Sequence, residues 1–276
     1  MVYGNFRKQK GNVMKILKAD LGKQNQIQLV VLGDLHIGDK LCDLDLIKET
    51  IEHIRTNDSC YAILNGDLMN NALKTSKSDS YLETMSMADQ QELLIELLYP
   101  IKDKILVMTT GNHEYRTNLL AGINPLKPVA IALGIKNKLV DSSYVLDLSF
   151  GSVKGGRPIK YTVFGIHGGD GTGKRIGITA NALQDMANVV CNADLYVHSH
   201  THNQISYSDA VLVFNKPKHR IEEHQRTYYN ANAFLKYGGY AEQKGYRLPD
   251  RSPSAIVITG CRKKDDVKVV TDIVRI

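Results

Sequence analysis

The sequence has few cysteines, no long apolar run and no internal repeat, and each absence narrows the class of protein. Its four cysteines stand alone, without the CxxC or CxxH spacing of a zinc ribbon, which predicts buried thiols in a reducing compartment. No stretch approaches the roughly 18 apolar residues that span a membrane. The basic, polar start MVYGNFRKQKGNVMK does not resemble a secretion signal. We therefore expect a cytoplasmic protein that does not act at a membrane.

The length and composition are those of one large globular domain. The chain has 276 residues, 43% of them hydrophobic, which is enough for a substantial core. We expect residues 1–276 to form a single domain in which 203–253 are a strand-rich elaboration near the functional site. The formal net charge of +6 suits a polyanionic partner such as nucleic acid. An ordinary basic surface explains that charge equally well.

In the first half of the chain, apolar runs alternate with segments of helical period. Strands are predicted at 27–34, 60–67 and 104–112, and helices at 43–55 and 78–100. This alternation predicts βαβ units with parallel strand pairing.

The second half of the chain is richer in strands. Segments 142–150 and 160–167 are predicted to pair around a glycine-rich turn, followed by a helix at 179–191 and a short strand at 193–199. Further strands are predicted at 204–215, 225–235, 254–260 and 267–275. The predicted fold class is therefore α/β, a four-layer arrangement in which a mixed two-sheet β sandwich is flanked by helices.

Five short segments with histidines and carboxylates follow one another in the chain: GDLH (33–36), NGD (65–67), GNHE (111–114), GIH (165–167) and HSHTH (198–202). Each of the first four ends or follows a predicted strand, so they should meet at one edge of a sheet. Alone, each segment is weak evidence for a metal site, because an Asp at the end of a strand often caps a helix or forms a turn. Together they predict a two-metal site of oxygen and imidazole ligands. The candidate residues are Asp34, His36, Asp67, Asn112, His113, His167, His200 and His202.

The order D-x-H, G-D, G-N-H-[DE], H, G-H-x-H over about residues 27–203 resembles that of the calcineurin-like metallophosphoesterases, and the compact bacterial and phage nuclease-like members in particular. The resemblance implies that His113 is the acid/base residue near the leaving group, outside the metal shell. It implies two divalent ions, for which we expect manganese, with iron, zinc, nickel or magnesium as alternatives. The implied ligands are Asp34, His36, Asp67 and His202 for one ion, and Asp67, Asn112, His167 and His200 for the other.

Three departures from the family pattern bear on function. Ser199 stands where G-H-x-H has glycine, a small change that should be tolerated. The segment GDLMNNA (66–72) lacks the Asp and Arg of the protein phosphatase branch, which argues against that branch. Because Asn70 replaces the carboxylate that would pair with His113, we expect His113 to be held less strongly. His198 extends the histidine pair, and we expect it to be structural.

These patterns predict a phosphodiesterase or nuclease that acts on nucleic acid or nucleotides through water activated between two metal ions. Substrate contacts are expected from Asn70, Arg116, Lys174 and Arg175. The alternative is a phosphomonoesterase acting on a small metabolite or nucleotide. A third reading, from a different class, is a non-catalytic scaffold that binds nucleic acid.

Two other segments have patterns that occur in functional sites. GGDGTGK (168–174) nearly matches a nucleotide-binding phosphate loop, but the hydroxyl residue after Lys174 is missing, which argues against an NTPase. Segment 219–253 interleaves tyrosines with Arg and Lys, which could stack bases. We favour instead a hairpin whose edge tyrosines are half buried.

Overall fold

The protein is an α/β sandwich of two six-stranded sheets, which confirms the predicted fold class. The structure, a computed structural model, describes residues 14–73, 83–151, 158–169, 175–263 and 266–276. The strands are β1 (Lys15–Asp20), β2 (Gln26–Leu32), β3 (Cys60–Asn65), β4 (Ile105–Thr109), β5 (Leu139–Val140), β6 (Tyr144–Phe150), β7 (Ile159–Gly165), β8 (Leu195–His198), β9 (Ile205–Asn215), β10 (Arg220–Asn230), β11 (Ser254–Lys263) and β12 (Asp266–Arg275). The helices are α1 (Leu44–Thr56), α2 (Met87–Leu98), α3 (Asn112–Ala121), α4 (Leu126–Ala132), α5 (Ile176–Val189) and α6 (Gly239–Gln243), with 3₁₀ turns at Tyr99–Lys104 and Lys136–Lys138.

The order of strands in each sheet explains where the loops go. One sheet has the order β12-β11-β2-β3-β4-β5, and the other has the order β1-β6-β7-β8-β10-β9. Strands β2 to β5 run parallel, as the alternation of strand and helix predicted. Strands β6 and β7 are antiparallel neighbours, and β8 runs parallel to β7. The ends of β2, β3 and β4 therefore lie at one edge, where open α/β sheets bind ligands.

Contacts between apolar side chains hold together four layers, which are the two sheets and the helices on their outer faces. Leu29 and Val31 of one sheet pack against Leu146 of the other, and all three are buried. Helix α1 packs on the outer face of the first sheet, where helical spacing places Ile47, Ile51 and Ile54 on one side. Helix α5 covers the outer face of the second sheet. No helix in the described part of the chain has both the length and the apolar character that crossing a membrane requires.

Some boundaries differ from the sequence prediction. Helix α2 begins at Met87, because the Ser86 hydroxyl accepts the Asp89 backbone N–H and caps it there. Its buried side is Gln90, Leu94 and Leu98, whereas Leu93 and Leu97 are only partly buried. Strand β10 starts before the predicted residue 225, because it pairs with β9 along its whole length. Residues 74–82, which include the start of the predicted helix, lie outside the described residues.

Candidate metal centre

The five segments meet at the ends of β2, β3, β4, β7 and β8. Three groups of side chains each have ligand atoms within 4.8 Å of one another. The groups are Asp34, His36 and His202; His36, Asp67 and His113; and Asp67, His167 and His200. Asn112 joins them, with its amide Oδ1 3.2 Å from His167 Nε2. The structure thus brings together all seven predicted ligands and His113, from segments far apart in the chain.

Asp34 lies at the centre of the cluster with one oxygen unpaired. Its buried Oδ2 accepts the backbone N–H of His200 at 2.8 Å. Among the residues that the structure describes, its buried Oδ1 has no hydrogen-bond partner, although Nε2 of His202, His36 and His167 lie 3.3, 3.8 and 3.9 Å away. Burial would raise the pKa of this carboxyl, but His202 and His167 lower it to about 2. A buried, ionised oxygen that lacks a donor is unfavourable, and a cation bound among these nitrogens would satisfy it.

Asp67 presents a single oxygen to the site. Its Oδ1 accepts the backbone N–H of His113 at 2.8 Å, and its Oδ2 lies 3.2 Å from His167 Nε2 and 3.8 Å from His113 Nε2. The pKa of Asp67 is well below its usual value, because His167 and His113 outweigh the opposing effect of burial. Only Oδ2 faces the histidines, because Oδ1 is used by the backbone.

The histidine rings are oriented for metal binding through Nε2. His167 Nδ1 lies 2.7 Å from the backbone oxygen of Asn65, so it is the nitrogen that carries a proton to donate. Nε2 of His36 and Nε2 of His202 face each other at 3.2 Å. Burial lowers the pKa of His36 well below its usual value and that of His200 to about 4, so both rings are neutral at pH 7. Neutral imidazoles and carboxylates that converge in this way fit a first-row divalent metal.

The backbone is strained at the ligand positions. Five of the seven predicted ligands have left-handed φ values between 48° and 66°, which non-glycine residues rarely adopt. These five are Asp34, His36, Asp67, His200 and His202. Each occupies a sharp turn after a strand, and such turns aim the side chain across the edge of the sheet. Strain of this kind clusters at functional sites.

His113 is held by the backbone of the loop that follows β3. Its Nδ1 lies 2.7 Å from the backbone oxygen of Asn70, so a carbonyl replaces the missing carboxylate partner and leaves Nε2 facing the site. The sequence-based expectation was of a weaker hold than a carboxylate would give, and the structure supplies a neutral backbone carbonyl as the partner. Burial lowers the pKa of His113 against the opposing effect of Asp67. A ring nitrogen of His113 also lies within 4.8 Å of ligand atoms of His36 and Asp67, so the structure groups His113 with the candidate ligands.

The predicted substrate contacts lie at different distances from this cluster. Asn70 is buried, and its backbone supports His113. Arg116 is partly buried on α3, where Asp67, Glu114 and Glu83 oppose the lowering of its pKa by burial. Arg175 is exposed at the start of α5, a helix joined to the ligand loop by the bond from Thr179 to Thr201. Residues 170–174 of the near-match phosphate loop, which include Lys174, lie outside the described residues.

Sequence reasoning missed a buried polar network beneath the site. Asn65 donates to the Ser199 hydroxyl at 2.8 Å and to the Ile166 carbonyl at 3.1 Å, and it accepts from the Tyr144 hydroxyl at 3.1 Å. Ser199 in place of glycine is therefore accommodated by a hydrogen bond. His198 is structural, as expected, with Nδ1 2.7 Å from Asn230 Oδ1. Asn65 stands inside the NGD segment, which was the one available signal.

Glu114 at the end of GNHE is fully buried among backbone amides. Its carboxylate accepts from the N–H groups of Gly111, Asp67 and Met69 at 2.8, 3.0 and 3.0 Å. Burial and the nearby Asp67 raise its pKa to about 7. Glu114 is therefore both a residue of the first turn of α3 and a hydrogen-bond partner of the loop after β3.

In segment 219–253, the contacts of Tyr228, Tyr229 and Arg226 stabilise the fold. Tyr228 and Tyr229 are completely buried rather than half buried. Tyr228 stacks between Tyr196 and Tyr207, at ring distances of 4.8 and 4.6 Å. Arg226 makes two hydrogen bonds to Asp209. Neither Tyr228 nor Tyr229 can therefore stack on a nucleic-acid base, and the hairpin interpretation is supported for them.

The chain was compared with known protein families, curated proteins and solved structures. The family model described as calcineurin-like phosphoesterase matches residues 27–204. No curated protein matches the chain. A conserved uncharacterized protein and predicted phosphoesterase from Streptococcus pneumoniae is 13% identical, with a TM-score of 0.37, and the match covers 90% of this chain and 98% of that one.

Vacuolar Protein Sorting 29 from Cryptosporidium parvum is 12% identical, with a TM-score of 0.40, over 91% of this chain and 98% of that one. Wild-type Vps29 complexed with zinc from Entamoeba histolytica is 11% identical, with a TM-score of 0.38, over 90% and 99%. The family match spans more than half of the 276 residues, and the chain therefore belongs to the calcineurin-like phosphoesterase family.

Proposed function

We propose that this protein is a dinuclear-metal phosphodiesterase whose substrates are nucleic acids or nucleotides. Membership in the family supports metal-dependent phosphoester hydrolysis in general. The observation that carries the proposal is the buried Asp34 Oδ1, which has no hydrogen-bond partner in the described part of the chain and has three imidazole Nε2 atoms within 3.9 Å. A divalent cation is the group that such an arrangement lacks.

The ligand assignment follows the geometry of the cluster. We assign Asp34, His36, Asp67 and His202 to one ion, and Asp67, Asn112, His167 and His200 to the other. Manganese is the metal we expect, with iron, zinc, nickel or magnesium as alternatives. When bound, two such ions would supply an activated water and positive charge for the phosphate oxygens.

The remaining polar residues would act directly on the substrate. A bound phosphate anion would raise the pKa of His113, and the protonated Nε2 could then donate to the leaving oxygen. The Asn70 carbonyl holds Nδ1 at 2.7 Å and so keeps Nε2 turned to the site. We propose Arg116 and Arg175 as contacts for phosphates on either side, with Asn70 and Lys174 as further contacts.

The competing function is a phosphomonoesterase that uses the same ligands. The net charge of +6 supports a polyanionic diester over a small monoester. A paired assay with Mn²⁺, bis-(p-nitrophenyl) phosphate and p-nitrophenyl phosphate separates the two. We expect the larger kcat/KM for the diester. A larger value for the monoester would favour the alternative.

Two variants connect the assay to the site. Asp67→Asn should abolish turnover, because an amide that keeps the bond to the His113 N–H turns its NH₂ toward the metals. Asp147→Asn is the matched control, since Asp147 lies on β6 and its carboxylate pairs with the exposed Lys160. If the wild type hydrolysed neither ester, and Asp67→Asn left nucleic-acid binding unchanged, the scaffold function would replace the enzyme.

A nucleic-acid substrate has its own test. Cleavage of a single-stranded oligonucleotide should weaken as salt rises, because phosphate contacts release counterions. Arg175→Gln should reduce that salt dependence.

We also propose that the chain forms a single cytoplasmic domain, in which 203–253 are an elaboration beside the site. In that segment, the Phe234 N–H donates to the backbone oxygen of Asp34 at 3.0 Å.

A further inference from the structure

Glu114 makes contacts that exceed those of a helix cap. It is the third residue of α3, and a glutamate there usually accepts one backbone N–H at the start of its own helix. Glu114 does this with Gly111 N–H at 2.8 Å. It also accepts two N–H groups from the loop after β3, Asp67 at 3.0 Å on Oε2 and Met69 at 3.0 Å on Oε1. The carboxylate therefore ties two ligand loops together.

The two loops hold each other from both sides. Glu114 binds the backbone N–H of Asp67, while Asp67 Oδ1 accepts the backbone N–H of His113 at 2.8 Å. They are also in close contact, since a Cβ on Gly111 would lie 2.2 Å from Asp67 Oδ1. Asp67 is thus held through its main chain and through one side-chain oxygen. Only Oδ2 is left for the metals.

The chemistry of the contacts requires an acceptor without a donor. Three N–H groups converge on one buried group, and an ionised carboxylate has only acceptor atoms. A glutamine of the same shape would turn its NH₂ toward Met69 N–H or toward the two other N–H groups. Either orientation leaves a buried donor facing a donor, which pushes the loops apart.

We propose that Glu114 is a positioning residue that fixes Asp67 between the two metal positions without touching either metal. This inference rests on the proposed function, because it assumes that Asp67 is the ligand shared by both ions. The left-handed turn at Asp67, with φ of 49°, is a conformation that the loop would otherwise leave readily. Glu114 supplies two of the hydrogen bonds that keep the loop in this turn.

The test compares Glu114→Gln with a cap that lies outside the metal site. Asp89 is the third residue of α2, and within the described ranges its carboxylate bonds only to the N–H and hydroxyl of Ser86. Asp89→Asn should therefore weaken a helix cap without affecting metal binding. Mn²⁺ affinity and stoichiometry would be measured by calorimetry on the full chain, and electron paramagnetic resonance would detect the exchange-coupled signal of paired ions.

We expect Glu114→Gln to lose about 10- to 100-fold in Mn²⁺ affinity, together with the coupled signal. We expect Asp89→Asn to keep both. Wild-type affinity and coupling in Glu114→Gln would overturn the positioning role and leave Glu114 as a cap. If the glutamine variant does not fold, Glu114→Asp keeps the charge and the cap but is one methylene too short for Met69, and the same losses are expected.

The failure of the proposed function is a separate result. If the wild type bound none of Mn²⁺, Fe²⁺, Zn²⁺, Ni²⁺ and Mg²⁺, both proposals would fall. If the wild type bound paired Mn²⁺ and Glu114→Asp did so equally well, only the positioning role would fall.

Discussion

Metal uptake by this protein should release a proton from His167. Burial alone would lower the pKa of this imidazole, but Asp67, 3.2 Å from Nε2, and Asp34 raise it to about 10. The ring is therefore protonated at neutral pH in the metal-free protein. Because Nδ1 bonds to the Asn65 carbonyl, the proton on Nε2 is the one that a metal ion must displace.

The size and sign of the effect follow from this pKa. The pKa of His167 lies about three units above pH 7. Removing the proton at pH 7 therefore costs about 4 kcal/mol, and metal binding is weakened by that free energy. Affinity for Mn²⁺ should therefore rise with pH, close to tenfold per unit between about pH 6 and 8, and should level off above about pH 10, where the ring becomes neutral. His36 and His200 have lowered pKa values and should release none. The pKa of His202 is raised, so this ring should add a fraction of a proton.

Calorimetry in several buffers measures the proton count directly. The observed enthalpy of Mn²⁺ binding near pH 7 is plotted against the ionisation enthalpy of the buffer, and the slope is the number of protons released. We expect a slope of about one to two in the wild type. His167→Gln should lower it by about one, because glutamine has no proton to give up. A slope of zero in the wild type would refute this account of the site.

Three further predictions test other residues. His113→Ala should lower kcat by about 100-fold while Mn²⁺ stoichiometry stays at the wild-type value; loss of a metal ion, seen by calorimetry, would make His113 a ligand instead. His202→Gly and His202→Ala should both be inactive. Because the backbone at residue 202 has a left-handed φ of 56°, which glycine adopts without strain, urea denaturation of the metal-free proteins should find the glycine variant more stable than the alanine variant by about 1 kcal/mol. Equal stability of the two variants would contradict the backbone strain. Iodoacetamide at about pH 8 should alkylate exposed Cys191 and spare Cys60, whose thiol pKa burial raises to about 12; peptide mapping that finds both equally labelled would show that Cys60 is accessible.

Much of the fold was predictable from local patterns. Strands such as β2 and β3 are short apolar runs bounded by polar turns, and α1 has isoleucines at helical spacing. Helix α3 was missed because its sequence has no apolar stripe, and Leu119 and Leu120 are exposed on it. What helps to start that helix is the buried Glu114 carboxylate and the Asp67 side chain from another loop. Neither contact leaves a periodic signal in the sequence.

The candidate site was likewise predictable only in part. Which residues could bind metal was evident from five short segments, because ligand chemistry belongs to the side chain and each segment follows a strand. How they are used was not evident. That Asn70 supports His113 through its backbone oxygen could not be read from residue 70, since every residue has a carbonyl.

The sequence by itself thus determined the family, the strand and helix alternation and the set of candidate ligands, since these depend on residue type and spacing. Only the tertiary structure decided which carboxylate oxygens face the cluster, and that Asp34 Oδ1 lies unpaired among three histidines. His36 and His202, whose Nε2 atoms lie 3.2 Å apart, are separated by 166 positions in the chain. Contacts of that kind arise when the two sheets pack, and no local pattern specifies them.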